Sequence, residues 1–201
     1  MGKRRPHIPE PGAGEAGGVQ PSYARSVAIA DDLLTRFRWV DGHADVWRLF
    51  VDRTFFARMI AALADPFRTR AITKVAGIEA RGFIVGAAVA GELHAGFVAV
   101  RKEGGIFPGE KLIQATPPDY RGNTTTLRLQ RSSLTHDDRV LLVDDWFETG
   151  SQALTARSLI ESAGAVFVGA SVIVDQLDPE MRPLLGQFSA LVSSDALGPS
   201  V

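Results

Sequence analysis

Two neighbouring carboxylates stand at the end of an apolar run, and a turn of small residues follows them. Asp144 and Asp145 come directly after the run at residues 140–143, and side-by-side acids can accept hydrogen bonds from the vicinal hydroxyl groups of a sugar. The turn Thr149-Gly150-Ser151 then opens a helix-like stretch, where backbone N–H groups and the helix dipole attract a phosphate. The segment therefore predicts a site for ribose 5-phosphate.

The two acids taken alone have other interpretations. One of them could cap the strand end while the other is solvated, and paired acids after a buried strand also occur in metal sites and receiver domains. The turn that follows favours the sugar-phosphate interpretation, because hydroxyl acceptors and phosphate donors then lie a few residues apart on one loop. No Gly-x-x-x-x-Gly-Lys-Ser/Thr motif is present, so simple nucleoside-triphosphate hydrolysis is not expected. The four histidines lack the spacing of a metal site.

A second anion site is predicted where residues 77–82 join a strand to an apolar helix. Arg81 and the N–H groups that open the helix would meet an oxyanion such as pyrophosphate. Arg101 and Lys102 follow the next strand, and together with Arg81 they supply the positive charge that a pyrophosphate leaving group needs. An ordinary strand–helix turn and solvated charges at a strand end are the alternatives.

Two further positions have both a plain and a functional interpretation. Residues 102–123 contain several Gly and Pro and little periodicity, and so long an irregular stretch is usually functional or disordered. Asp119 lies in this loop, where an acid is usually solvated, and it gains a role only if the loop closes over the site. Trp47, which precedes Arg48 and a predicted helix, is either a core residue or a contact for the ring of a ligand.

These residues need a framework of alternating strands and helices, and the hydrophobic pattern supplies one. Helices are predicted at residues 23–37, 53–64, 83–93 and 152–163. Strands are predicted at residues 72–76, 97–100, 124–130, 139–144, 166–174 and 190–194. The short links between them imply an α/β fold with a mostly parallel sheet covered on both faces. Ligands bind such sheets beyond the carboxyl ends of the strands, which is where we expect the loops 77–82, 101–123 and 144–152.

Composition limits the kind of protein. The chain has 201 residues, 45% hydrophobic and 22% charged, which suggests one domain with a real core. A net charge of −1 argues against nonspecific electrostatic binding of nucleic acid. No apolar run approaches the roughly 20 residues that span a bilayer. The absence of cysteine excludes a thiolate site and fits a cytoplasmic location. Residues 1–22 lack the apolar stretch of a signal peptide, and their Gly and Pro content predicts a disordered arm.

Three segments in order resemble the type I phosphoribosyltransferases, and within them the adenine branch. They are residues 76–86, residues 97–105 together with 108–110, and residues 140–145, and the similarity extends over about residues 40–175. The resemblance implies an α/β fold with a five-stranded, mostly parallel sheet, helices on both faces and a small N-terminal hood. It implies a single domain at residues 23–201, with the hood at 23–55 and the core at 56–195.

The resemblance also implies a purine-salvage reaction, in which a purine nitrogen replaces the pyrophosphate of 5-phosphoribosyl pyrophosphate (PRPP), and Mg²⁺ is carried by PRPP without a direct protein ligand. The residues that match the ribose-phosphate site are Asp144, Asp145, Glu148, Thr149, Gly150, Ser151 and Gln152. Those that match the pyrophosphate site are Ala80, Arg81, Gly82, Arg101 and Lys102. Those assigned to the base pocket are Val46, Trp47, Arg48, Trp146 and Phe147. The catalytic groups are matched by Asp119, which would handle the purine proton, and by Arg81 and Lys102.

Several residues depart from the family pattern. The phosphate turn usually reads Ala-Thr-Gly-Gly-Thr, whereas here Glu148 brings a carboxylate and Ser151 replaces a glycine. Asp119 is one methylene shorter than the usual glutamate, and Trp146-Phe147 stands in place of a small aliphatic pair. These changes bear on adenine specificity more than on PRPP binding.

Two other functions stay open at this point. One is a PRPP-binding regulator without catalysis, and the other is a pathway-specific phosphoribosyltransferase that uses an unusual base. Regulators of this kind usually carry a winged helix ahead of the domain, and the residues before the hood lack a basic recognition helix, so an enzyme is expected. The partners implied are PRPP and a purine base, with neither nucleic acid nor membrane, in a homodimer.

Overall fold

The computed structural model describes residues 22–104, 106, 108–118 and 122–199. The helices are α1 Ser22–Arg36, α2 Arg53–Ala64, α3 Arg81–Glu92 and α4 Ser151–Ser162. The strands are β1 Trp39–Val40, β2 His43–Ala44, β3 Lys74–Ile78, β4 Gly96–Lys102, β5 Lys111–Ala115, β6 Thr126–Gln130, β7 Arg139–Phe147, β8 Val166–Asp175 and β9 Gln187–Ser193. Apart from Ser22, the predicted arm at residues 1–22 lies outside the described residues, and so does Asp119. Among the described residues, no helix is both long enough and apolar enough to cross a membrane.

In the described part of the chain, seven strands form the central sheet, in the order β5-β6-β4-β3-β7-β8-β9. The five strands from β4 to β9 across the sheet pair in parallel, whereas β6 runs antiparallel to β4, and β5 runs antiparallel to β6. The predicted mostly parallel α/β fold is confirmed, but the count of five strands is wrong for the whole sheet. The difference lies at one edge, where β5 forms within the loop that was expected to be irregular. The residues of β5 alternate between exposed and half-buried, and the strand pairs with β6. Because β5 has five residues and lies among Gly and Pro, its sequence pattern is too short to predict a strand.

Helices cover both faces of this sheet. Successive residues of β7 point to opposite faces: Leu141 and Val143 pack in a core with α2 and α3, whereas Val140 and Leu142 pack in a core with α4. All four are buried, as expected for the central strand of a parallel sheet. The apolar run therefore fixes the position of β7 and carries the acids that follow it to the carboxyl edge.

The start of α2 shows how local sequence signals set a helix boundary. Asp52 caps this helix, because its Oδ1 accepts the Phe55 backbone N–H across 2.8 Å. Pro66 stands just beyond the last residue of α2, where it cannot continue the hydrogen-bond ladder. The helix predicted at residues 53–64 is confirmed at those bounds.

The N-terminal elements close over the carboxyl edge of the sheet. They comprise α1, the β1–β2 hairpin and a 3-10 helix, Val46–Phe50. The hairpin turns through Asp41 and Gly42, whose φ angles of 49° and 72° are those of a tight two-residue turn. Leu33 of α1 is buried in the same core cluster as α2 and α3. Because the hood has no separate core, its boundary near residue 55 stays a prediction.

Candidate active site

A cavity of about 740 Å³ opens beyond the carboxyl ends of the central strands, where ligands bind open parallel sheets. The three loops singled out in the sequence meet there, and the β1–β2 hairpin closes one side. The described lining residues are Trp39, Gly42, His43, Ala44, Trp47, Ile78, Glu79, Ala80, Arg81, Lys102, Asp144, Asp145, Trp146, Phe147, Glu148, Thr149, Gly150, Ser151, Gln152, Ala153 and Gln176.

The acid pair lies at the floor of the cavity. The Asp145 backbone N–H donates to Asp144 Oδ1 across 2.9 Å. Asp144 lies against the first turn of α3 so closely that a Cβ built on Gly82 would come within 2.6 Å of Asp144 Oδ1. Burial, and after it the negative charge of Asp145, raises the pKa of Asp144 well above its usual value. Asp144 therefore binds a proton more readily than an exposed aspartate does.

Arg81 is held at this floor by an ion pair. Its Nε donates to Asp145 Oδ2 across 2.6 Å, and its guanidinium carbon lies 5.9 Å from the centre of the Trp47 ring. The Asp145 side chain is 8% exposed and that of Arg81 is 36% exposed, so the pair borders the open cavity. A guanidinium has five N–H donors, and this pair uses one of them. Ala80, the residue before it, also lines the cavity.

Arg101 and Lys102 do not form an equal pair. Arg101 Nη2 lies 3.2 Å from Glu79 Oε1, and Arg101 is absent from the described lining of the cavity. Glu79 Oε2 also accepts the Lys102 backbone N–H across 3.0 Å. The hydrogen bond from Arg101 is the main cause that lowers the pKa of Glu79. Lys102 lines the cavity, so the geometry favours Lys102 over Arg101 as the cation that meets an anionic ligand.

The turn before α4 borders the cavity, with Gly150 in the left-handed backbone region. Gly150 precedes the helix at φ 79°, a backbone conformation that favours glycine, and a Cβ there would lie 3.0 Å from Leu177 Cδ2, so that the Leu177 side chain would have to shift slightly. Thr149 Oγ1 and Ser151 Oγ lie 3.0 Å apart, whereas the Ser151 backbone N–H meets Thr149 Oγ1 only at 3.4 Å. Gln152 and the exposed Glu148 line the same part of the cavity. The first turn of α4 therefore borders the cavity as the sequence predicts.

All three tryptophans of the chain line this one cavity. The rings of Trp39 and Trp146 meet edge to face, with centroids 6.2 Å apart. Trp47 is 50% exposed although it is a large apolar residue. Aromatic faces and edges of this kind suit a flat heteroaromatic ring. The cavity thus has an aromatic end and a charged end.

The residues predicted for the base pocket divide into two groups. Trp47, Trp146 and Phe147 line the cavity. Val46 is buried in the core, and Arg48 borders a separate depression beside Asp52, so neither is among the described lining residues. Val46, Trp47 and Arg48 lie on a 3-10 helix, in which three successive side chains point in three directions. Only the side chain of Trp47 can therefore face the cavity.

Four further residues line the cavity without having been predicted from the sequence: Trp39, His43, Glu79 and Gln176. A signal for the first two was present, since Asp41-Gly42 between alternating residues is a strong hairpin motif. Gln176 follows β8 directly, and no local pattern marks it. Its place in the cavity wall depends on where β8 ends.

Comparison with known proteins identifies the family. A family model described as a phosphoribosyl transferase domain matches residues 51–188, which is more than half of the 201 residues. The chain belongs to the phosphoribosyl transferase family. The family predicted from the three sequence segments is thereby confirmed.

Curated relatives of this phosphoribosyl transferase are named adenine phosphoribosyltransferase. The one from Dinoroseobacter shibae is 41% identical over 155 residues, covering 75% of this chain and 85% of its own length. The one from Xanthomonas campestris is 41% identical over 152 residues, covering 72% of this chain and 80% of its own length.

Solved structures of such enzymes share the fold. The adenine phosphoribosyltransferase of Rhodothermus marinus superposes with a TM-score of 0.75 at 29% identity, over 83% of this chain and 99% of its own. The enzyme of Giardia lamblia, solved in complex with 9-deazaadenine, gives a TM-score of 0.72 at 26% identity, over 82% of this chain and 97% of its own.

Proposed function

We propose that this chain is a purine phosphoribosyltransferase, which transfers the 5-phosphoribosyl group of PRPP to a purine base and releases pyrophosphate. Adenine is the first candidate for the base. The observation that carries the proposal is the meeting in one cavity of an acid pair, a small-residue turn, two cationic side chains and three tryptophans. Relatives named adenine phosphoribosyltransferase at 41% identity support the same activity.

The ribose 5-phosphate half of PRPP would bind where β7 ends and α4 begins. The vicinal hydroxyls would donate to the carboxyl oxygens of Asp144 and Asp145, which both line the cavity. The 5-phosphate would accept hydrogen bonds from the turn Thr149-Gly150-Ser151 and from the first N–H groups of α4. The proximity of acids and turn supports one continuous subsite for the sugar phosphate.

The pyrophosphate half would face Arg81 and Lys102, which both line the cavity. In the reaction, the bond from C1 of the ribose to pyrophosphate breaks and a bond from C1 to a purine nitrogen forms, so C1 gains positive charge as in glycoside cleavage. The two cations would stabilise the negative charge that develops on the leaving group. Asp119 keeps its proposed role as acceptor of the purine proton, although it lies outside the described residues.

The family implies Mg²⁺, and the residues present fit one way of binding it. Within the part of the chain that the structure describes, no three His, Cys, Asp or Glu side chains come together as a metal site. Mg²⁺ often keeps several water ligands and binds through substrate phosphates together with one or two carboxylates. Asp144 and Asp145 are carboxylates that line the cavity. The ion would therefore be held mainly by PRPP. When bound, it supplies charge neutralisation for the pyrophosphate group.

These findings bear differently on the two other functions, the regulator and the phosphoribosyltransferase that uses an unusual base. A regulator without catalysis is not favoured, since the curated relatives carry the names of enzymes and this chain spans 85% of the D. shibae protein. The choice of an unusual base would depend on the aromatic end of the cavity alone, which Trp146 and Phe147 help to line. Adenine is supported by the G. lamblia enzyme, which binds 9-deazaadenine. The homodimer and the cytoplasmic location remain predictions.

The direct test is an assay of the full chain with PRPP, Mg²⁺ and a panel of adenine, hypoxanthine and guanine. Release of pyrophosphate together with formation of a nucleotide is expected, and adenine is expected to react fastest. PRPP binding without turnover of any purine would contradict the proposal and favour the regulator.

A further inference from the structure

We propose that Gln176 determines which purine this enzyme accepts, and that Trp146 positions the Gln176 carboxamide for that task. The inference rests on the function proposed above and assigns a recognition group to the base end of the cavity. Gln176 would touch the base and act in specificity, whereas Trp146 would act through Gln176 as a positioning residue.

Gln176 lies on a loop that the fold holds in place. Its backbone N–H donates to the Phe147 carbonyl oxygen across 2.9 Å. On its other side, the Leu177 N–H donates to Asp175 Oδ1 across 2.9 Å, and Arg182 Nε donates to Asp175 Oδ2 across 2.7 Å. The backbone on both sides of Gln176 is thus tied to the ends of β7 and β8, and its side chain starts from a fixed point on the cavity wall.

One hydrogen bond orients the side chain itself. Trp146 Nε1 donates to Gln176 Oε1 across 2.8 Å. An indole N–H can only donate, so the atom that faces it must be the carboxamide oxygen, and a flipped amide would lose this bond. The Nε2 amino group is then directed elsewhere, and no acceptor for it is found among the described residues. The Gln176 side chain therefore directs its donor, Nε2, away from Trp146.

Gln176 lies at the aromatic end of the cavity. Trp146 and Gln176 form the wall on the sheet side, and Trp39 packs edge to face on Trp146 from the hood side. The charged end, with Arg81 and Lys102, is suited to pyrophosphate. A flat base between the aromatic residues would have its edge beside the Gln176 amide.

A fixed N–H donor selects for an acceptor on the facing edge of the base. Purines offer the ring nitrogens N1, N3 and N7, and the group at position 6 is a donor in adenine but an acceptor in hypoxanthine. A site that hydrogen-bonds its substrate rejects an analogue that lacks the matching group, because a polar group is then left unpaired. Gln176 would therefore make catalysis sensitive to one acceptor atom of the base.

The experiment measures kcat/KM of the full chain for adenine, for hypoxanthine, and for 1-deaza-, 3-deaza- and 7-deazaadenine. For the wild type, kcat/KM is expected to be about tenfold lower for the one base in which the acceptor atom facing Gln176 is missing or is replaced by a donor. In Gln176→Leu, kcat/KM for the preferred base is expected to fall about tenfold, and the difference in kcat/KM between bases with and without that acceptor atom is expected to disappear. Equal losses on every base, or no change at all, would overturn the inference.

Trp146→Phe tests the positioning role, because it keeps an aromatic ring but removes the N–H that fixes the amide. The carboxamide can then present either end, so the preference at the same atom is expected to fall by about threefold or more. Trp39→Phe is the matched control, since the Trp39 indole N–H donates to the Gly198 carbonyl oxygen instead. Because Trp39 also lines the cavity, only the preference at the atom facing Gln176 is compared, and not the overall kcat/KM. An equal loss of that preference in both variants would refute the role of Trp146.

The failure of this inference can be told from the failure of the proposed function. If the wild type releases no pyrophosphate with any purine, the function itself is wrong. If the wild type turns over a purine while Gln176→Leu leaves the ranking of bases intact, only the assignment of Gln176 is wrong.

Discussion

Arg81 Nε donates to Asp145 Oδ2 across 2.6 Å, and this ion pair joins the start of α3 to the carboxyl end of β7. The two residues are 64 positions apart in the chain. Each has been assigned to a different half of PRPP, Arg81 to the pyrophosphate and Asp145 to the ribose hydroxyls. In the described structure they neutralise each other, so PRPP binding has to rearrange or share this contact.

The ion pair predicts coupled effects on stability and on binding. Arg81→Ala and Asp145→Asn should each lower the free energy of unfolding, and the double variant should lose less than the sum by about 0.5–1 kcal/mol, because the second change removes an interaction already lost. Denaturant unfolding of the four proteins measures this coupling. Asp145→Asn should also weaken PRPP binding about tenfold by calorimetry. Unchanged PRPP affinity would contradict its assignment to the ribose hydroxyls.

Burial of Asp144 predicts an unusual dependence of stability on pH. Its pKa is raised above that of an aspartate in the unfolded chain, so the stability linked to its protonated form is complete below about pH 4 and is lost as the pH rises through the folded-state pKa. Asp144→Asn keeps an acceptor for the Asp145 N–H and cannot ionise. We expect it to exceed the wild type in free energy of unfolding at pH 8, with a difference that shrinks toward pH 4. A difference that stays constant with pH would count against the raised pKa.

The two basic residues at the end of β4 should behave differently. Lys102 lines the cavity, whereas Arg101 is held by Glu79. Lys102→Ala is expected to lower kcat/KM for PRPP by about 100-fold, through lost stabilisation of the leaving group. Arg101→Ala is expected to lower it by about tenfold or less, since it acts through the position of Glu79. Steady-state kinetics with varied PRPP compares them, and a larger loss for Arg101→Ala would reverse the assignment.

Gly150 should tolerate no side chain. Gly150→Ala combines a φ of 79° with a Cβ only 3.0 Å from Leu177 Cδ2, and we expect it to cost about 2 kcal/mol of unfolding free energy and to weaken PRPP binding. Gly164 is the matched control at the other end of α4, with φ 89° and no atom within 4 Å of an added Cβ. Gly164→Ala should cost about 1 kcal/mol and leave PRPP affinity intact. Equal PRPP affinities in the two variants would show that the turn at Gly150 does not bind the phosphate.

Glu148 places a carboxylate beside the turn assigned to the 5-phosphate. Glu148→Gln removes that charge and is expected to tighten PRPP binding by about threefold at low ionic strength, because repulsion from the phosphate is relieved. The gain should shrink as salt is added, since both groups are exposed to solvent screening. Calorimetric titration at two salt concentrations checks both points, and weaker binding by the variant would show that Glu148 assists the phosphate site.

The amino-acid sequence by itself determined the features that depend on near neighbours. The acids of β7 and the turn at Gly150 lie within seven residues of one another, so the period of a strand and the start of a helix suffice to place them on one edge. The bounds of α2 follow in the same way from Asp52 and Pro66. The family, too, was readable from short segments, because the residues that carry it are local motifs.

The tertiary structure alone decided which side chains share the cavity. Lys102 rather than Arg101 faces it because the pairing of β4 directs adjacent side chains to opposite sides of the sheet. The contacts of Arg81 with Asp145 and of Trp146 with Gln176 join residues 64 and 30 positions apart. Such contacts arise from strand order and register, which are set by packing of the whole core, and no local pattern encodes them.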